Sequence, residues 1–181
     1  MPESLGLADD IVALADHDAR WTLLFQKEAD ALRAVLGTRA VAIEHIGSTA
    51  ISGIRAKPIL DVLLAVPDLE DQKELVAGAA RLDYVFRPKA GIPAELVFVK
   101  GTPRTHILHV VAWDSDPWRQ KLAFRNALRA NPALAAEYDA LKLGLAEKFA
   151  NDRVAYTSGK TDFVRRVVST LAPDAVFLTR D

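Results

Sequence analysis

Residues 59–66 read Ile-Leu-Asp-Val-Leu-Leu-Ala-Val, an almost unbroken apolar run with one carboxylate near its start. A strand that meets water on one side alternates polar and apolar residues, whereas a run without a polar face belongs to a strand buried on both faces. The chain must therefore cover both sides of this segment, and no other stretch constrains the fold as strongly. Asp61 is the exception within the run. A carboxylate there needs a metal, a cation or several hydrogen bonds to be tolerated.

The rest of the chain supplies the layers. Trp21, Leu24, Phe25, Leu32, Val35 and Leu36 fall at helical spacing over Asp18–Leu36, with Asp18 as the expected N-cap and Gly37 as the stop. Ala40–Ile46 alternates as a strand, and Asp68–Leu82 has helical character. Tyr84–Arg87, Leu96–Lys100 and Thr105–Trp113 read as further strands, separated by turns at Gly91-Ile92-Pro93 and Gly101-Thr102-Pro103. The last third is helical. One helix runs from Trp118 to Asn131-Pro132. A second carries Leu134, Tyr138, Leu141, Leu145 and Phe149, and a third spans Val154–Leu171. The expectation is an α+β fold: a small mixed sheet over residues 38–113 flanked by helices, then a helical part over 115–171. A length of 181 residues suits one domain over 1–181 with a real core and is short for two.

Composition removes several classes of function. Half of the residues are hydrophobic and 26% are charged, the balance of a soluble globular protein. No apolar run reaches the length of a membrane span, and the acidic start MPESLGLADD is unlike a signal peptide. Without cysteine there is no disulfide scaffold, thiolate zinc site or cysteine nucleophile, which fits a cytoplasmic protein. The 23 Lys and Arg against 24 Asp and Glu give a net charge of −1, so no global pull toward nucleic acid or an anionic membrane is expected.

The densest chemistry lies between Glu44 and Asp61, in EHIGSTAISGIRAKPILD. A strand ending at Ile46 runs into Gly47-Ser48-Thr49, residue types that make a tight turn and cap a short helix. A helix start after a strand aims free N–H groups at one spot and so favours an anion. Lys57, held extended by Pro58, can add a point charge beside it. Residues 40–46 and 59–66 are then expected to be neighbouring strands joined through a short helix beginning near Ser48. Glu44 and His45 form a possible acid–base pair, although adjacent strand residues diverge and one of them alone can face a pocket. His106 and His109, three apart, should point to opposite faces of their strand. Tyr156 and Lys160, four apart, should share one helix face. Arg104 and Arg125 are candidates for a carboxylate or phosphate contact.

Gly47-Ser48, twelve intervening residues and then Asp61 on an apolar strand resemble the signature of the polymerase-β-like nucleotidyltransferases. IEHIGSTAISGIRAKPILDVLLAV more narrowly resembles the GrpB family, also called UPF0157, within that superfamily. So do Pro103-Arg104-Thr105-His106, Leu108-His109-Val110-Val111, Phe124-Arg125, Leu128-Arg129, Tyr138, Tyr156, Lys160 and Phe163, from residue 12 to 168. The resemblance implies a nucleotidyltransferase-type mixed sheet and a nucleoside triphosphate or other phosphorylated small molecule as partner. It further implies transfer of a nucleotidyl group to a small acceptor with Mg2+. In that reading Gly47, Ser48 and Thr49 cradle phosphate with Lys57, Arg104 and Lys160, Asp61 and His45 are catalytic, and Asp61 ligates metal. Glu44 or Glu95 would supply a second carboxylate, because Leu63 stands where the superfamily's second aspartate does. The alternative is a non-catalytic nucleotide- or anion-binding module, or a partner related to coenzyme A metabolism, since some family members are fused to dephospho-coenzyme A kinase.

Overall fold

The computed structural model describes residues 5–171, so residues 1–4 and 172–181 of the expected domain lie outside the described residues. Helix α1 (Arg20–Leu36) leads through a 3-10 turn into β1 (Ala42–Ile46), and a second 3-10 turn, Ser48–Ala50, precedes β2 (Leu60–Val66). Then follow α2 (Gln72–Ala80), β3 (Val85–Phe86), β4 (Glu95–Lys100) and β5 (His106–Ala112). Four helices follow within the described residues: α3 (Asp116–Ala130), α4 (Pro132–Lys148), α5 (Arg153–Ser158) and α6 (Thr161–Leu171).

The strands form one mixed sheet in the order β1-β2-β5-β4-β3. Strand β2 pairs antiparallel with β1 and parallel with β5. Strand β4 pairs antiparallel with both β5 and β3. As expected, β1 and β2 are neighbours joined through a short helix that starts at Ser48.

Both faces of β2 are covered. On one side Val62, Leu64 and Val66 join Leu108, Val110 and Phe98 against Ala29 and Leu32 of α1 and Leu75 and Ala79 of α2. On the other, Leu63 and Ala65 join Ile46 and Val111 against Trp118 of α3. Leu60, Val62, Leu63 and Leu64 are all fully buried, each contributing roughly 1.5–3 kcal/mol. This double burial is why the sequence of β2 shows no alternation.

The helical part is fastened to the segment between β1 and β2. Ile51 and Ile54 pack among Leu128, Ala135, Tyr138, Phe163 and Val167. Arg125 donates to Glu44 at 2.6 Å and to the His45 carbonyl at 2.9 Å, and Arg129 donates to the Ala50 carbonyl at 2.9 Å. Asp139 of α4 receives the Arg55 backbone N–H and guanidinium, and the buried Lys142 ammonium donates to the Arg55 carbonyl.

Two local expectations are corrected. The third C-terminal helix is two helices, because the chain turns at Gly159, where it lies against Leu145 of α4 and an added Cβ would meet that side chain. Asp18 stands one residue before the flanking Ala19 of α1, yet its carboxylate still accepts the Arg20 backbone N–H at 2.8 Å.

A cavity at the doubly covered strand should be costly. Leu64→Ala is expected to lower the unfolding free energy in urea by about 2–5 kcal/mol. The same truncation at Leu23, which is 66% exposed on α1, should change it by no more than about 0.5 kcal/mol.

Candidate functional site

Strand β1 ends opposite Asp61, with Ile46 paired to it across the ladder. Gly47 then turns the chain with φ 69° and ψ −175°, a conformation open to glycine and strained for other residues. It also passes directly over the aspartate: a Cβ at Gly47 would collide with the Asp61 carboxylate and lie 2.9 Å from its Cγ. The turn is fixed from several sides. Thr49 Oγ1 hydrogen-bonds His45 Nε2 at 2.9 Å, and the Ser48 hydroxyl hydrogen-bonds the phenol of Tyr138. Both hydroxyls are therefore engaged in holding the turn.

Asp61 belongs to a line of alternating charges. Its Oδ1 lies 3.4 Å from His109 Nε2, His109 Nδ1 lies 2.8 Å from Glu95 Oε1, and Lys121 Nζ lies 2.9 Å from the same glutamate oxygen. The other Glu95 oxygen accepts the Ile92 N–H at 3.0 Å. Burial pushes the Asp61 carboxyl up, but the His109 hydrogen bond and charge, with Lys57 and Lys160, outweigh it and hold the group below its ordinary range. Burial likewise pushes His109 down, and Glu95 and Asp61 outweigh that and raise it. Glu95, against the effect of its own burial, is held far down by Lys121 and His109. His109 thus stands between two carboxylates, one facing each ring nitrogen, an arrangement that favours its imidazolium form.

A second charged group lies on the other side of Asp61, assembled from three separate parts of the chain. Lys57 precedes β2 and Lys160 sits at the α5–α6 junction; their ammonium groups lie 5.1 and 4.6 Å from the ring centre of Tyr156. Arg153 begins α5, and Arg104 precedes β5 in a bridge with Leu7. Among the described residues, the carboxylate ion-paired with members of this group is Asp9, 2.9 Å from Arg104 and 3.9 Å from Arg153. Arg104 Nε and both Nε and Nη1 of Arg153 are buried with no hydrogen-bond partner among the described residues. The cations weaken one another. Burial, then the charges of Lys160 and Arg153, pull the Lys57 ammonium down to about 7. Burial lowers Lys160 as well, opposed by Asp61.

Asp61, Gly47 and His109 also form the floor of a cavity of about 310 Å³, with Gln120 and Lys121 beside them. Its walls are apolar, from Ile46, Ile92, Pro117, Phe124, Val164 and Val168. Asp61 therefore stands between an apolar cavity and a cluster of cations.

The structure brings together Gly47, Ser48, Lys57, Asp61, Arg104 and Lys160, and separates two other expected residues from them. His45 points to the opposite face of the sheet, stacked on Phe25 at 4.7 Å, and burial pushes its imidazole down to about 4. It is a neutral, packed side chain in a structural hydrogen bond rather than a catalytic group. Glu44 shares the Asp61 face but is drawn to Arg125 at 2.6 Å, and Leu63, its partner across the ladder, is fully buried. It cannot complete a metal site with Asp61 without leaving that ion pair. Among the described residues no group of three His, Asp or Glu side chains is placed to hold a metal ion, so the donor set does not fit a Mg2+ site built by the protein. His106 and His109 face opposite ways as their spacing requires: His106 lies 3.8 Å from Glu28 of α1. Arg153 and Lys121 carry no motif that marks them as part of the site, and Tyr138 is marked by the family resemblance without a site role. Among the described residues, no helix is long and apolar enough to cross a membrane.

The sheet and its flanking helices superpose on the Cid1 poly(U) polymerase with Mg and 3′-dATP bound, with a TM-score of 0.51. Identity is 13%, over 82% of this chain and 50% of that one. The likeness places the fold among the nucleotidyltransferases. The chain belongs to the GrpB family, whose model, described as GrpB protein, matches residues 11–170. It is 38% identical over 173 residues to the glutamate-rich protein GrpB of Alkalihalophilus pseudofirmus, covering 92% of this chain and 99% of that protein. The crystal structure of GrpB from Enterococcus faecalis superposes with a TM-score of 0.80 at 32% identity, over 87% of this chain and 96% of that one.

The depressed Lys57 has a consequence for stability. From its folded value of about 7 up to its ordinary 10.5, the unfolded chain binds a proton that the folded chain gives up. Stability therefore rises with pH across this window, and the penalty is fully present below it. Lys57→Met should raise Tm at pH 6 by about 2–4 °C and flatten the rise between pH 7 and 10, measured by circular dichroism melts.

Proposed function

We propose that this chain binds a phosphorylated small molecule of the nucleoside triphosphate class, its phosphates lying among Lys57, Lys160, Arg104 and Arg153 beside the Gly47–Thr49 turn. The observation that carries the reading is the cation cluster itself. Four basic side chains converge, Asp9 pairs with the two arginines among them, and three guanidinium nitrogens are buried with no hydrogen-bond acceptor among the described residues. Such an arrangement is costly until an anion with several oxygens satisfies it. Arginine meets phosphate through a planar fork and lysine as a point charge, and both are present. Shared fold with Cid1, whose structure carries 3′-dATP, supports a nucleotide as the ligand. The near-neutral net charge favours a small molecule over nucleic acid, and the absence of cysteine suits a cytoplasmic setting.

Transfer of a nucleotidyl group to a small acceptor is the second reading. It is supported by Asp61, which faces both the turn and an apolar cavity large enough for an acceptor. Against it stands Leu63, fully buried in an apolar cluster beside Trp118, which favours binding without transfer.

Calorimetric titration with ATP separates the two readings. A charge-assisted hydrogen bond contributes roughly 1.5–3 kcal/mol, so Lys57→Ala and Lys160→Ala should each weaken ATP binding by about tenfold or more. Asp61→Asn should leave binding intact or tighten it, since it removes a negative charge near the phosphates. Unchanged affinity in both lysine variants would sink the binding reading. Pyrophosphate release that requires Mg2+ and disappears in Asp61→Asn would establish transfer.

A further inference from the structure

We propose that the His109 imidazolium occupies the place of a divalent cation in this pocket, so that the chain binds its polyphosphate ligand without a metal ion. The ligand half of this statement rests on the binding reading above; the metal half stands on the geometry of Asp61 and its neighbours.

The first argument is who surrounds the carboxylate. On its sheet face Asp61 is paired with Ile46 of β1 and with Ile107 of β5, and the next residue on the same face of its own strand is Leu63. These three are apolar and offer no ligand atom. The remaining neighbour is His109, which pairs with Leu63 across the ladder. A hard cation takes oxygen ligands at about 2.0–2.6 Å and prefers several of them, and on this face the strand neighbours of Asp61 supply no second oxygen ligand, only an imidazole.

The second argument is what the imidazole does. Nε2 faces Asp61 Oδ1 at 3.4 Å and Nδ1 faces Glu95 Oε1 at 2.8 Å. Ionised carboxylate oxygens accept hydrogen bonds and do not donate them, so a ring with a carboxylate on each nitrogen carries a proton on each. The ring thus lies between the two carboxylates, where a bridging ion would lie, with a positive charge and two directed N–H groups. Glu95 is not free to swing toward Asp61, because it also receives Lys121 at 2.9 Å and the Ile92 N–H at 3.0 Å.

The third argument is charge. Asp61 and Glu95 are balanced by His109 and Lys121. A divalent ion added to this neutral set would sit next to Lys57, Lys160, Arg104 and Arg153, whose excess positive charge already awaits an anion. In a site that recruits a metal, unneutralised carboxylates attract the ion; here the local excess has the opposite sign. A polyphosphate meets enough cations from the chain itself.

Two measurements on the full chain test this. Mn2+ binding to the protein alone, followed by the loss of the free-ion signal in electron paramagnetic resonance, should show no ion bound to the wild type. His109→Asp, which places a third carboxylate between Asp61 and Glu95, should gain a bound Mn2+ that the double variant His109→Asp/Asp61→Asn loses. Inorganic tripolyphosphate should bind the wild type in EDTA at least as tightly as in Mg2+, to within about twofold. His109→Gln, which keeps hydrogen-bonding capacity but removes the charge and leaves Asp61 uncompensated, should weaken that binding by about tenfold. Far-ultraviolet circular dichroism confirms that each variant is folded, and the wild-type measurements do not depend on the variants. Mn2+ bound by the wild type and lost in Asp61→Asn would overturn the proposal, as would tripolyphosphate binding that requires Mg2+. Tripolyphosphate binding in neither buffer would remove the ligand reading, and the Mn2+ experiment then decides the metal question alone: no ion on the wild type upholds the substitution and a bound ion refutes it.

Discussion

Asp61 enters the structure at the start of β2, the strand on which both layers of the fold pack. A carboxylate in that position loses water on every side except the one facing the pocket, and the energetic cost must be met by groups close at hand. The partners come from the next strand: His109 on β5, backed by Glu95 on β4 and Lys121 on α3. The same carboxylate leaves no room for a side chain on the turn above it, which makes glycine at position 47 a steric requirement as well as a conformational one. One half-buried charge thus sets the residue at the turn, favours the protonated form of the histidine and ties together three strands and a helix.

The turn has its own backbone bonds, from the Ala50 N–H to the Gly47 carbonyl and from the Ile51 N–H to the Ser48 carbonyl, and side chains from the helices add to them. Arg125 and Arg129 of α3 take carbonyls on either side of it, Tyr138 of α4 takes the Ser48 hydroxyl, and His45 takes Thr49. The helical part therefore acts as a clamp on the loop that carries the site. The same helices deliver Arg153 and Lys160 to the cation cluster and Phe124, Val164 and Val168 to the cavity wall. Sheet and helices each supply half of the pocket, and neither half has a defined site without the other.

The cation cluster is a cost to the folded state. Lys57 and Lys160 share the Tyr156 ring, and each is weakened as a base by burial, Lys57 further by its basic neighbours. A core built for stability alone would replace one of them with an apolar residue. Keeping both stores repulsion between two ammonium groups on one ring, and an anion of the class proposed above would relieve it, linking binding to stability through the same side chains.

Local pattern was enough to place the strands, the first helix, the Gly-Ser-Thr turn and the doubly buried β2, because these follow from hydrophobic period and from residue types with restricted backbones. It also identified Asp61 as a charge in need of a partner, and it put His106 and His109 on opposite faces by strand alternation alone. It did not identify the partner. His109 meets Asp61 through a parallel pairing of strands separated by α2, β3 and β4, and Arg153 reaches Lys57 across about half of the chain. Neither juxtaposition leaves a trace in local spacing. For the same reason Glu44 and His45, adjacent to the turn in sequence, read as site residues, while pleat and an ion pair to a distant arginine carry them away from it. Side-chain period and turn chemistry are properties of a few consecutive residues, and sequence specifies them directly. Which charges neutralise which depends on strand order and helix docking, and these arise only when the whole chain closes on its core.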